Sequence, residues 1–207
     1  MELKSTLQHV EAVVLAAGRS RRMGRPKQLL PLPGGTSVIE RVVSNVAPHV
    51  ERVIVVVGHL PGQVGALAAR RGADIAVNSD VDLGMLASVQ SGIRSLSAQA
   101  TGVLLCLGDQ PEVEGTSIAQ VLQAANTYDI VIPTYHGRGG HPVFITRSFF
   151  GEILDLSSDT NDGLRTVVRG HPEQTHEIEV AREEVLRDMD TPVDYHNTWK
   201  RLEGPKG

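Results

Sequence analysis

The chain has 207 residues, a net charge of −4 and 41% hydrophobic residues, which suits one α/β domain and argues against a nucleic-acid or anionic-membrane partner. Its single cysteine, Cys106, excludes an intrachain disulfide and a thiolate metal cluster. No apolar run approaches the roughly eighteen residues of a membrane helix, and the N-terminal residues lack a secretory pattern, so a soluble, cytoplasmic protein is expected.

In chain order, Ala12 to Leu15 is a solid apolar run, as expected of a strand buried on both faces of a parallel sheet. Ser37-Val38-Ile39-Glu40 has the form of a capping box, which predicts a helix to about Val46. Val53 to Val57 reads as a second strand. Leu86, Val89, Ile93 and Leu96 fall at helical spacing, so Met85 to Leu96 should form an amphipathic helix. Val103 to Leu107 is a third buried strand, with Cys106 as a structural thiol inside it, and Ile130 to Ile132 is a shorter one. Arg138-Gly139-Gly140 reads as a turn joining Ile130–Tyr135 to Val143–Ile145 in a hairpin-like element. Val180 to Leu186 is a short helix candidate, and Thr191-Pro192 opens a last helix with proline at its first position. Together these predict one doubly wound, Rossmann-like, mostly parallel sheet with an antiparallel element in its second half, over about residues 10–200.

In such sheets, ligands bind beyond the carboxyl ends of the strands. The segments Ala16 to Lys27, Gly58-His59 and Gly108 to Pro111 should therefore share one rim. The first is the most informative. Small residues at Ala16, Ala17 and Gly18 let backbone N–H groups approach phosphate oxygens, and Arg19, Arg21, Arg22, Arg25 and Lys27 supply positive charge. Neither familiar phosphate loop fits. Gly18 and Gly24 are one residue too far apart for a Walker A loop, and Gly18-Arg19-Ser20 breaks a dinucleotide fingerprint. Asp109, directly after a buried strand and facing the basic loop, is a natural magnesium ligand, although a turn role before Pro111 is also open. The eight histidines show no zinc-site spacing.

The run Leu15-Ala16-Ala17-Gly18-Arg19-Ser20-Arg21-Arg22-Met23-Gly24-Arg25-Pro26-Lys27 resembles the signature L-A-[AG]-G-x-S-x-R-M-G-x-x-K of the nucleotidylyltransferase superfamily. Within that superfamily it is most similar to the molybdenum-cofactor cytidylyltransferase branch. The resemblance continues at Gly58-His59, Asn78 to Ser88, Gly108-Asp109-Gln110-Pro111, Gly140-His141-Pro142-Val143 and Asp188 to Pro192.

It implies an enzyme that moves CMP from CTP onto a molybdopterin-type cofactor, with Mg²⁺ as cofactor and a recipient molybdoenzyme as a further partner. By the same resemblance, Lys27 and Arg22 face the triphosphate, and the nucleotide meets Leu15, Ala16, Ala17, Gly18, Arg19, Gly58, Asn78, Gly84, Ser88 and Gly108. The metal falls to Asp109 and Asp190, and the acceptor to Gly140, His141 and Pro142. Bland roles stay open for some of these: Asp190 as a helix cap, His141 as a turn residue, Asn78 and Ser88 as solvated loop. Asp188, two positions from Asp190, is expected to point the opposite way.

Alternatives to this function are GTP as donor, a sugar phosphate, polyol phosphate or phospholactate as acceptor, or a non-catalytic nucleotide-binding accessory protein for a molybdoenzyme. Relatives often carry a compact G-D-x-G-[AV]-R stretch where this chain reads Ser157 to Arg165, which is longer and lacks the first glycine. Alanine at position 17, where guanylyl-transferring relatives have glycine, favours the smaller base.

Overall fold

A computed structural model of the protein describes residues 9–157 and 162–204. Four parallel strands form its centre: β1 (Val10–Ala16), β2 (Arg52–Val57), β3 (Asp74–Val77) and β4 (Gly102–Leu107), in the order β3-β2-β1-β4. The sheet has eight strands and continues through β7 (Val143–Thr146), antiparallel to β4, to β5 (Ile130–Tyr135). Short β6 (Arg138–Gly139) and edge strand β8 (Thr175–Glu179) both pair with β5, the latter in parallel. The expected fold class is therefore observed, antiparallel element included.

Alternation along the strands supplies two cores. Ala12 and Val14 of β1 face one layer with Val42 and Val43 of α1 (Val38–Val46), Val64 of α2 (Pro61–Ala69) and Ile118 of α4 (Gly115–Ala125). Val13 faces the other, with Val89 and Ile93 of α3 (Met85–Arg94), Ile153 of α5 (Phe150–Asp155) and Val167 of α6 (Arg165–Gly170). Strands buried on both faces must be apolar throughout, which is why these runs were readable. A smaller cluster of Met23, Leu30, Leu32, Val38 and Met189 ties the basic loop to the segment before α7 (Pro192–Glu203).

The capping box of α1 forms as expected, Ser37 accepting from the Glu40 N–H while the Glu40 carboxylate accepts from the Ser37 N–H. The last helix also begins as read, but its cap is Thr191 rather than Asp190: Thr191 and Asp194 make a reciprocal box.

Two expectations need correction. The hairpin turn lies at His136-Gly137, both at positive φ, and Arg138-Gly139 is strand. Gly137 supplies the positive φ that the tight turn requires, whereas neither Gly139 nor Gly140 adopts one. Val180 to Leu186 is not an α-helix: it follows β8 and contains one 3₁₀ turn at Glu183–Leu186. β8 itself went unread because an edge strand held by backbone pairing needs little apolar alternation, and its sequence is Thr-His-Glu-Ile-Glu. Ser158 to Asn161, part of the stretch that departs from the relatives, lie outside the described residues. Among the described residues no helix is long and apolar enough to cross a membrane.

Candidate active site

The carboxyl ends of β1, β2 and β4 open onto one rim, as the parallel order requires. After β1 the chain runs through 3₁₀ turns at Arg21–Met23 and Lys27–Leu29, where the Lys27 N–H donates to Ser20 Oγ at 3.1 Å. This folds the basic loop back so that Lys27 is buried and points across the rim.

The Lys27 ammonium donates to Asp109 Oδ2 and, at 2.8 Å, to Asp190 Oδ1. Arg22 reaches Asp190 Oδ2 at 2.7 Å. Side-chain exposure is only 11% for Lys27, 16% for Asp109 and 28% for Asp190, so these charges interact with little solvent screening. Burial alone would lower the Lys27 pKa, but Asp109 and then Asp190 outweigh it and hold the ammonium above its usual range. For Asp109, burial and the neighbouring Asp188 and Asp190 push the carboxyl up against the opposing pull of Lys27. Two carboxylates this close need a cation between them.

The carboxylate segments are bound to each other. The Met189 N–H donates to the Asp109 carbonyl at 3.1 Å, and Gln110 Nε2 donates to the Val185 carbonyl at 3.2 Å and to Asp188 Oδ1 at 2.8 Å. Asp188 is held by Gln110 while Asp190 turns to Lys27 and Arg22. Residues two apart in a regular strand share a face, so the divergence comes from these separate partners along a segment that is not strand.

Magnesium typically takes one or two carboxylates and completes its shell with phosphate oxygens and water. Asp109 and Asp190, close enough to share one ammonium, fit that requirement. Among the described residues no group of three or more His, Cys, Asp or Glu forms an all-protein cage, so a metal held by these two carboxylates would take the rest of its shell from substrate oxygens and water.

Beside this centre lies a cleft lined by Ala17, Gly18, Arg19, Ser20, Arg21, Val81 and Asp82. Arg19 donates to Asp82 at 2.9 Å in an exposed ion pair, three residues beyond the end of β1 at Ala16. Leu15 and Ala16 lie within β1, where they are strand residues first. Asn78 and Ser88 are buried and bonded to each other at 3.0 Å, and Asn78 also accepts from the Asp80 N–H at 2.9 Å. They brace the loop leading to Gly84 and α3 rather than reaching solvent.

Gly58 and Gly108 have a packing reason to be glycine: a Cβ would stand 2.9 Å from Ala17 Cβ in the first case and 2.9 Å from the Leu15 carbonyl in the second. At Gly140 a Cβ would stand 2.3 Å from the Val185 carbonyl. The next residue, His141, donates its N–H to that same carbonyl at 2.9 Å and precedes Pro142 through a cis bond. Burial pushes the His141 imidazole down to about 4, Asp109 opposing and Arg165 assisting, so it is neutral at pH 7.

Of the residues expected at the site, Lys27, Arg22, Asp109 and Asp190 meet directly, with one difference of arrangement: Lys27 and Arg22 are turned onto the carboxylates. Sequence reasoning missed the Arg19–Asp82 pair and a buried carboxylate, Glu112, which accepts from Thr198, Arg187 and Arg201. Only its position three residues after Asp109 hinted at a role.

Residues 12–177 match the family model described as the MobA-like NTP transferase domain. The chain belongs to that family. This nucleotidyltransferase is 25% identical over 187 residues to the molybdenum cofactor cytidylyltransferase of Escherichia coli K12, covering 90% of this chain and 93% of the relative. It is 30% identical to a probable molybdenum cofactor guanylyltransferase of Mycobacterium ulcerans, over 88% and 89% of the two chains. Among solved structures, Rv0371c of Mycobacterium tuberculosis H37Rv superposes with a TM-score of 0.81 at 32% identity, over 94% and 99% of the chains. A manganese complex of that protein superposes at 0.77 with 30% identity, over 96% and 100%.

Proposed function

We propose that this nucleotidyltransferase moves CMP from CTP, with Mg²⁺, onto the phosphate of a molybdopterin-type cofactor and releases pyrophosphate. The observation that carries the reading is the meeting of Lys27, Arg22, Asp109 and Asp190 at the carboxyl rim beside a phosphate-compatible backbone loop. A nucleotide-binding accessory protein has no need of two carboxylates clamped around a cation. The relatives named for molybdenum-cofactor transfer support the acceptor class.

A phosphate monoester is largely dianionic at neutral pH, its second pKa being about 6, so one of its oxygens attacks the α-phosphorus without a protein base. The bond from the α-phosphorus to its bridging oxygen breaks, and that electron pair leaves with pyrophosphate. Catalysis is then positioning and charge stabilisation. Magnesium held by Asp109 and Asp190 would supply positive charge at the α-phosphate. As the triphosphate arrives, Lys27 and Arg22 exchange their carboxylate partners for phosphate oxygens, and the N–H groups of Ala17 to Arg19 cradle the chain. Neutral His141 offers the acceptor a hydrogen bond without adding charge.

The base preference rests on Ala17, a residue of the cleft wall whose methyl packs beside Gly58. A pyrimidine fits there, whereas a purine meets the methyl or leaves its exocyclic groups unpaired, a penalty of about 1–3 kcal/mol. Competition between equal CTP and GTP, with product dinucleotides resolved by mass, should give roughly ten- to a hundredfold more cytosine product, and Ala17→Gly should relax the ratio. A guanine dinucleotide as the main wild-type product overturns the base assignment.

A further inference from the structure

We infer that Glu112 is a positioning residue that sets the separation of Asp109 and Asp190, and through it the affinity for the divalent cation. The inference rests on the proposal that these two carboxylates hold the metal, which their fit to a magnesium shell supports.

Glu112 is buried, and both of its oxygens are fully used. Oε1 accepts from Thr198 Oγ1 at 2.8 Å and Arg201 Nη2 at 2.7 Å; Oε2 accepts from Arg201 Nε at 2.5 Å and Arg187 Nη1 at 3.1 Å. With two donors on each oxygen it has no lone pair to spare for a metal. Burial alone would raise its pKa, but Arg201, Thr198 and Arg187 outweigh it and keep the group ionised.

The positions of these donors are informative. Arg187 precedes Asp190 by three residues, and Thr198 and Arg201 follow it on one face of α7, three apart. Glu112 therefore grips the chain on both sides of Asp190 while standing three residues beyond Asp109 on the other segment. Its own segment is anchored from α1, where Asn45 Nδ2 donates to the carbonyls of Pro111 at 3.2 Å and Val113 at 2.9 Å. The Met189–Asp109 backbone bond and the Gln110 side chain close the gap between the segments. A buried, saturated carboxylate placed behind two metal-facing ones is suited to fixing their spacing.

Outer partners of metal ligands typically change metal affinity about 10- to 100-fold when altered. The test is Mn²⁺ binding by electron paramagnetic resonance, in the presence of α,β-methylene analogues of CTP and of GTP, for wild type, Glu112→Gln and Arg201→Met. Ile153→Val, a core truncation on the opposite layer of the sheet, serves as a control for lost stability. The expected result is Mn²⁺ binding weakened roughly tenfold or more in Glu112→Gln, less in Arg201→Met because Arg187 remains, and unchanged in the control. If wild type binds Mn²⁺ and both network variants bind it equally well, the positioning role is overturned. Weakening that only tracks melting temperature, the control included, also overturns it. If wild type binds no Mn²⁺ with either analogue, the metal reading itself fails.

Discussion

Replacing Lys27 with methionine should increase the affinity of the nucleotide-free protein for a divalent cation, although the lysine is assigned to catalysis. The ammonium occupies the space between Asp109 and Asp190, donating to both. A metal arriving alone must displace it, giving up two charge-assisted hydrogen bonds worth about 1.5–3 kcal/mol each. Part of that cost is recovered when the freed ammonium is hydrated, so a net competition of roughly 2 kcal/mol is reasonable. Methionine keeps the length and most of the volume but cannot compete. Its variant should bind Mn²⁺ about thirtyfold more tightly without nucleotide, since 1.4 kcal/mol is tenfold. The same variant should lose nucleotidyl transfer by about 10²-fold, because nothing then meets the triphosphate. Electron paramagnetic resonance of free Mn²⁺ during titration of the nucleotide-free proteins at pH 7.5 reads the affinity directly. Equal or weaker Mn²⁺ binding by the variant refutes the exchange of Lys27 between carboxylates and phosphate.

Gly140→Ala should cost about 1–3 kcal/mol, because its Cβ would stand 2.3 Å from the Val185 carbonyl, which is itself held by the His141 N–H. A thermal melt unchanged from wild type would show that the two segments separate freely. His141→Gln should flatten the pH dependence of stability between about 6.5 and 4. The folded imidazole is depressed to about 4, so as pH falls through this window the unfolded chain takes the proton first and wild type loses up to about 3 kcal/mol relative to the variant. Urea unfolding at pH 7 and pH 4.5 measures the difference, and parallel losses in the two proteins contradict it.

The legible parts of the molecule are those where one local rule decides. β1, β2 and β4 are buried on both faces and show as unbroken apolar runs, and the α1 capping box is written in four consecutive residues. The rim was predictable because parallel topology sends every such strand toward it. The pairing partners on the rim were not. Lys27 lies 82 residues from Asp109 and 163 from Asp190, and nothing local decides whether its ammonium faces phosphate or carboxylate. The Glu112 network has the same character: its donors come from residues 75 to 89 positions away, and arginines on a helix face otherwise read as solvated charge. β8 failed for a related reason, since its order comes from the β5 backbone and not from its own side chains.

The central claim is that Asp109 and Asp190 form the metal-dependent centre of a nucleotidyl transfer. It is tested most directly by incubating the protein with CTP labelled at the α-phosphate, Mg²⁺ and molybdopterin-type cofactor, for wild type and Asp109→Asn. Wild type should move the label into a cofactor dinucleotide with one pyrophosphate released per product, and only when Mg²⁺ is present. Asp109→Asn should fold normally yet fall by about 10²-fold or more. A folded Asp109→Asn protein that transfers label at near the wild-type rate under limiting Mg²⁺ would contradict the account.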